Sequence, residues 1–386
     1  MKKIRVMTVF GTRPEAVKMA PLVIELRKNP HIEVLCAVTA QHRQMLDSVL
    51  DIFGIRPDFD LDIMSPRQTL SDITVRALPG LERVFRETSP DLVLVHGDTS
   101  TTFAGALAAF YNKIMIGHVE AGLRTGDRYS PFPEEMNRVL TDSLSDLCFA
   151  PTRQNKENLL RENTKAELFV TGNTVIDAMR YTVKEDYIFS NPDLASVDFR
   201  SRRVVVLTAH RRENYGEPLR NIMGAVRDLA DRFDDCLFIY PVHLSPEVRD
   251  TASSILSGHP GVMLIDPVPV DEMHNLLSRC SFVMTDSGGL QEEAPSLGKP
   301  VLVLRRETER GEAVAAGTVR LAGTEREDIV SLGERLLTDR ELYDAMARSV
   351  NPYGDGKACE RIAQAITWRF GLDSGRPADY LWEEPR

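Results

Sequence analysis

Three carboxylates stand where open α/β sheets carry their chemistry. Asp98 follows the apolar run Leu92–Val95 in His96-Gly97-Asp98-Thr99, and Glu120 follows Ile114–Val119. Glu134 follows Pro133 at the start of a helical pattern. Residues just past the carboxyl ends of such strands face the ligand crevice, and grouped acids suit proton removal and delivery. For Glu134 the plainer reading is a capping charge at a helix N-terminus. His96 and His118 precede their acids and are expected to be core histidines.

A second group is cationic. Gly11-Thr12-Arg13-Pro14-Glu15 follows the first strand. Gly11 permits a tight turn, Pro14 suits a first helical turn, and Arg13 beside a helix N-terminus suits an anion. Lys18 lies one turn on and reaches the same place, although a solvated charge is the simpler reading for it. Thr285-Asp286-Ser287-Gly288-Gly289 lies between a strand and a helix. Its backbone N–H groups at a positive helix end form a phosphate cradle. Glu292 and Glu293 follow, and a carboxylate there accepts hydrogen bonds from ribose hydroxyls. Arg310 adds a bidentate phosphate contact. His210-Arg211-Arg212-Glu213-Asn214 follows Val204–Ala209, where His210 can protonate a departing diphosphate. Acids on one side and a nucleotide cradle on the other suggest acid/base chemistry on a group attached to a nucleotide.

The elements that must position these residues alternate regularly. Candidate strands are Ile4–Phe10, Val34–Thr39, Leu92–His96, Ile114–Val119 and Leu147–Ala150, separated by helical patterns such as Glu15–Lys28, Ser71–Thr88 and Ser100–Tyr111. The strands are almost continuously apolar, as parallel strands covered on both faces are. After a polar stretch, Tyr187–Arg203, read as a linker or excursion, the rhythm restarts with Val204–Ala209, Leu237–Tyr240, Val262–Ile265, Phe282–Thr285 and Val301–Leu304. This predicts an α/β protein of two Rossmann-like, doubly wound parallel-sheet domains facing across a cleft. Residues 1–172 form the domain with the acids and residues 173–356 the nucleotide-binding domain. The C-terminal helix, within 357–386, packs back on the first through Trp368 and Phe370. No GxGxxG follows the first strand, so no dinucleotide cofactor is expected.

Of 386 residues, 57 are Asp or Glu and 47 are Lys or Arg, a net charge of -10, which excludes a broad cationic surface for nucleic acid. No apolar run approaches the roughly 18 residues of a membrane span, and the N-terminal segment reads as a strand rather than a signal peptide. The five cysteines contain no CxxC pair, so reduced core thiols are expected and neither zinc nor disulfides.

In order along the chain stand FGTRPE, AQHRQM, RQTL, HGDT, HVEAGLR, PFPEEMNR, AHRREN, YPVH and TDSGGLQEEAPSLGKP. The set closely resembles the non-hydrolysing UDP-N-acetylglucosamine 2-epimerases of bacteria. The resemblance implies a GT-B-like fold and a cytoplasmic homodimer that interconverts UDP-GlcNAc and UDP-ManNAc without metal or cofactor. It implies that Asp98, Glu120 and Glu134 are the catalytic carboxylates, with His210 assisting the diphosphate. Arg13, Ser287, Gly288, Gly289, Glu293 and Arg310 resemble UDP-binding residues, and Lys18 and Arg138 are placed with them as substrate ligands. Gln41, His42, Gln44, Arg67 and Gln68 match the residues with which some members bind a second UDP-GlcNAc as activator, and Arg211 and His243 are expected to join them. The family often places an aromatic ring near the uracil in the segment matching Asp266–Leu277; here that segment has Met273 and no aromatic.

The chemistry follows from the substrate. The C2 proton is not α to a carbonyl, so direct removal by a carboxylate is hopeless. Breaking C1–O first makes that proton acidic, and loss of UDP gives 2-acetamidoglucal, to which UDP adds back. A hydrolysing relative, a GT-B glycosyltransferase and a non-catalytic nucleotide-sugar sensor are the alternatives. The AQHRQM and RQTL segments argue against the first, and the acids beside the sugar against the other two.

Overall fold

The computed structural model describes residues 3–41, 43–373 and 375–382. The apolar runs form two all-parallel sheets. The first contains β1 (Ile4–Phe10), β2 (Ile32–Val38), β3 (Phe59–Asp60), β4 (Leu92–His96), β5 (Met115–Val119), β6 (Leu147–Ala150) and β7 (Glu167–Val170), in the order β3-β2-β1-β4-β5-β6-β7. The second contains β8 (Arg203–Thr208), β9 (Cys236–Pro241), β10 (Val262–Ile265), β11 (Phe282–Thr285), β12 (Val301–Val303) and β13 (Val319–Leu321), in the order β10-β9-β8-β11-β12-β13. Every residue of β4 and β11 is buried, which is why their sequences do not alternate. The strand order reverses between β1 and β4, and again between β8 and β11. These are the switch points at which adjacent loops diverge and leave room for a ligand.

Helices bury one stripe each. In Leu70–Thr88 the buried residues are Ile73, Ala77, Leu81, Val84 and Phe85, spaced three or four apart. They share a core with Met7, Val9, Val93 and Val95 of β1 and β4. The helix starts with a reciprocal cap: Asp72 donates its N–H to Thr69 Oγ1 at 3.1 Å, and the Asp72 carboxylate accepts the Thr69 N–H at 2.8 Å.

The chain divides into two compact units, one running to Tyr181 and including Tyr353–Leu381, the other spanning Thr182–Pro352. The division lies after Tyr181 rather than at residue 172, because the helix Thr174–Thr182 is tied into the first unit. Its Asp177 carboxylate accepts the N–H groups of Ala358 at 3.1 Å and Cys359 at 2.9 Å, at the N-terminus of the last helix. That helix, Ala358–Arg369, packs on Arg13–Arg27, and Trp368 lies edge-on to Phe169 at 6.1 Å. The helix does not continue toward residue 386. Instead Tyr380 donates its N–H to the Val170 carbonyl at 2.7 Å and Asp379 accepts the Val170 N–H at 2.9 Å, so the tail covers the edge strand β7.

The polar stretch after Tyr187 is a docked excursion, not a free linker. The buried Glu272 carboxylate accepts the N–H groups of Ser190 at 2.6 Å and Asn191 at 2.9 Å. Phe189 stacks between Tyr187 and Phe199 beneath Arg279. The strands missed in the sequence, β3, β7 and β13, are short and include both edges of the first sheet and one of the second. The five cysteines are free and buried, and among the described residues no helix is long and apolar enough to cross a membrane.

Replacing Trp368 by Ala removes the ring packed on Phe169 and should destabilise the first unit by about 2–3 kcal/mol. The measurement is the urea midpoint of unfolding; a midpoint equal to the parent's would refute a stabilising role for the returning helix.

Candidate active site

At the first switch point a buried carboxylate joins two loops. Glu15, only 2% exposed, sits in the first turn of helix Arg13–Arg27. Its Oε2 accepts the N–H groups of Gly11 at 3.1 Å and Thr12 at 2.8 Å, in the turn after β1. Its Oε1 accepts the hydroxyls of Thr99 at 2.8 Å and Thr102 at 3.1 Å, in the turn after β4. Gly11 is closely packed as well: a Cβ there would lie 2.0 Å from Thr39 Oγ1, just past β2, and 2.7 Å from Thr101 Oγ1, in the helix after β4. Only glycine fits there. Glu15 has no functional reading in the sequence; its signal was its place three residues after Thr12. Arg13, half-buried, is the first residue of this helix.

Glu120 lies one residue past β5 with φ of 66°, a left-handed conformation uncommon for a residue with a side chain. Its carboxylate pairs with Lys18, has His96 Nε2 at 3.2 Å, and accepts from Asn173 Nδ2 at 3.3 Å. Burial works against the charge, but Lys18 and His96 outweigh it and hold this carboxyl well below the usual range. Lys18 is therefore not a solvated charge. His96 is buried as a core histidine should be, yet it faces the candidate acid. Asn173, in the loop after β7, was not foreseen, because only the fold brings it beside Glu120.

Asp98 lies two residues past β4, on the strand next to Glu120's. Arg138 Nε donates to its carboxylate at 3.0 Å, and Asn137 Nδ2 donates to its carbonyl at 2.9 Å. Arg138, expected as a substrate ligand, is 4% exposed and turned to Asp98 and to Glu135, which it meets at 3.3 Å. Glu135 is buried and accepts the N–H groups of Thr125 and Gly126. Glu134 opens the helix Glu134–Leu144 and is only half-buried.

The second switch point repeats the device. Asp286, fully buried after β11, accepts through Oδ2 the N–H groups of His210 and Arg211, each at 2.8 Å, and Asn214 Nδ2 at 3.0 Å. It thus fixes the loop after β8. Burial pushes the His210 ring's pKa down, with His243 and Arg211 adding to the effect against the pull of Asp286. His243 stacks on His210 at 5.3 Å. Ser287 occupies the N-cap position of the helix Gly288–Ser296 without a side-chain capping bond. At Gly288 two guanidinium groups converge: a Cβ there would lie 3.5 Å from Arg310 Nη2 and 3.6 Å from Arg211 Nη2. Glu292 holds Arg310 through Nε at 2.5 Å. Glu293 reaches back toward Gly289, whose Cβ would lie 3.2 Å from its Oε1, and its other oxygen is 3.5 Å from His274 Nε2.

The residues expected at an activator site come from both units. In the first unit Thr101 donates its hydroxyl to Gln41 Oε1 at 3.2 Å, and Gln68 Nε2 donates to the Gln41 carbonyl at 3.2 Å. Arg67 beside them is exposed, with φ of 56°. Arg211 lies with Arg310 at Gly288, and His243 lies against His210, both in the second unit. His42 and the side chain of Gln44 lie outside the described residues.

The two parallel-sheet α/β units define a GT-B-like fold. The sequence profile described as UDP-N-acetylglucosamine 2-epimerase matches residues 24–367. The UDP-N-acetylglucosamine 2-epimerase of Bacillus subtilis (strain 168) is 56% identical over 381 residues, 98% of this chain and 99% of that one. Among solved structures, MnaA of S. aureus in its co-structure with UDP is 50% identical, with a TM-score of 0.87 over 98% of this chain and 100% of that one. The UDP-GlcNAc 2-epimerase of Neisseria meningitidis, bound to UDP-GlcNAc, is 47% identical, with a TM-score of 0.86 over 95% and 100%. The chain belongs to the UDP-N-acetylglucosamine 2-epimerase family.

Because the folded pKa of Glu120 lies below its unfolded value of about 4.3, its pairing stabilises the protein above that pH. The contribution is lost as pH falls through the depressed value. Lys18→Met should raise the Glu120 pKa and move the onset of acid unfolding to higher pH. Carbon NMR of labelled glutamate reads this directly, and an unmoved Glu120 titration would show that Lys18 does not hold the charge.

Proposed function

We propose that the chain interconverts UDP-GlcNAc and UDP-ManNAc by eliminating UDP to 2-acetamidoglucal and adding it back, without hydrolysis. The observation that carries this reading is the pair Asp98 and Glu120 past the ends of adjacent strands. Inversion at C2 needs one group to take a proton from one face and another to deliver a proton to the other. Glu120, kept ionised, is suited to accept a proton; Asp98, 31% exposed on its side chain and held by Arg138, is the second group. Glu134, at the start of its helix, completes the acid set.

The second unit is assigned to UDP. The N–H groups of Gly288 and Gly289, with Arg310 and Arg211, suit the diphosphate, and Glu293 suits the ribose. C1–O cleavage leaves charge on the diphosphate, which these groups stabilise. His210 starts neutral, and an anion beside it favours its protonated form, so it can share a proton with leaving UDP. Arg13 is assigned to the same anion. The relatives crystallised with UDP and UDP-GlcNAc support the choice of ligand. The acid set and the cradle fall in separate units, which supports residues up to Tyr181 as the sugar-processing domain and Thr182–Pro352 as the nucleotide-binding one.

In the same reading the enzyme is a cytoplasmic homodimer, with its five buried free thiols in keeping with a reducing compartment. UDP-GlcNAc activates it at a second site that includes Gln41, Arg67 and Gln68.

In heavy water, UDP-GlcNAc should yield UDP-ManNAc carrying deuterium at C2. Free ManNAc as the main product, or no deuterium, would reject the route. Asp98→Asn and Glu120→Gln should each lower kcat by about 10²–10⁴-fold while calorimetry shows UDP binding retained. Pure UDP-ManNAc should react slowly until traces of UDP-GlcNAc are added; full initial velocity without them would remove the activator site.

A further inference from the structure

His118 lies fully buried between two oxygen atoms. Its Nδ1 is 2.6 Å from Asp142 Oδ1, and its Nε2 is 2.7 Å from the Gly97 carbonyl oxygen. A carbonyl only accepts, so Nε2 carries a hydrogen. Asp142 takes further donors on Oδ2, Arg124 Nη2 at 2.7 Å and the Gly122 N–H at 3.3 Å, which favour an ionised carboxylate. An ionised carboxylate also only accepts, so Nδ1 carries a hydrogen as well.

Arg124 forks onto the exposed Glu162 with two bonds of 2.7 Å while it holds the buried Asp142. Cys148, paired with His118 across β5 and β6, lies 3.8 Å from Asp142, and burial first and then Asp142 push its thiol well up, so it remains neutral.

The group that Nε2 holds is the turn that carries Asp98. Gly97 has φ of 67°, a left-handed conformation suited to glycine. Its N–H donates to the Val119 carbonyl at 2.9 Å while its own carbonyl accepts from His118, so β5 clamps both sides of this residue. Asp142, the partner of His118, also holds Gly122 and Arg124, in the loop that follows Glu120.

We propose that His118 is a positioning residue that acts as a buried, doubly protonated strut, fixing the Asp98 turn directly and the loop after Glu120 through Asp142. Displacing a reacting group by about 1 Å costs on the order of 100-fold in rate.

The test has two readouts. Nitrogen NMR of the histidine-labelled enzyme near neutral pH should show hydrogen on both ring nitrogens of His118, identified by loss of its signal in His118→Gln. One bare nitrogen overturns the proposal. In turnover, His118→Phe should lower kcat by about 100-fold with UDP affinity kept. His118→Gln, which retains an N–H for the Gly97 carbonyl, should recover about tenfold of that loss. A kcat near the parent's in His118→Phe, or no recovery in His118→Gln, overturns it also. If His118→Phe does not fold, the spectrum of the intact enzyme still decides. The inference rests on the role proposed for Asp98. Near-normal turnover by Asp98→Asn would remove that role, whereas the ring spectrum judges His118 on its own.

Discussion

Each unit is organised around one buried carboxylate at the point where its strand order reverses. Glu15 binds the turns after β1 and β4, and Asp286, after β11, binds the loop after β8. A carboxylate taken out of water must be surrounded by donors or it costs several kcal/mol. Four donors meet Glu15 and three meet one oxygen of Asp286, and most of them are backbone N–H groups or hydroxyls of the two diverging loops. The requirement to satisfy one anion therefore fixes the loops from which the reactive side chains project. Without it, the carboxyl ends of the strands would be separate turns rather than a rigid edge.

The same rule of local neutrality sorts the remaining charges. In the first unit Lys18 compensates Glu120, Arg138 lies between Asp98 and Glu135, and Arg124 lies between Asp142 and Glu162. In the second, Glu292 holds Arg310 by one nitrogen while its guanidinium still lies at Gly288, beside that of Arg211. A formal charge of -10 says nothing of this arrangement. Two cations converging on a helix N-terminus create a local positive site on an acidic protein.

Much of the fold was legible because parallel strands covered on both faces must be apolar throughout, and β1, β4, β5, β6 and β8–β12 carry that signal. The edge strands β3, β7 and β13 did not, because two to four residues at a sheet margin need little hydrophobic surface. The excursion after Tyr187 read as a linker because its anchors, Glu272 and Asp271, come from about 80 residues further along the chain. The acids of the site were visible as strand-end residues. Their partners were not: Asn173 and His96 meet Glu120 only because the carboxyl ends of β4, β5 and β7 lie on the same side of one sheet.

The sequence by itself determined the family, the doubly wound architecture and the candidate site residues. Those depend on residue type and local order, which motifs and hydrophobic periodicity record directly. The tertiary structure decided how each charge is used. Lys18 pairs with Glu120, Arg138 with Asp98, Arg211 lies beside Arg310, and His118 bridges Asp142 and Gly97. A side chain's electrostatic role is set by the groups within a few ångströms of it, and in this chain those groups come from distant strands and helices.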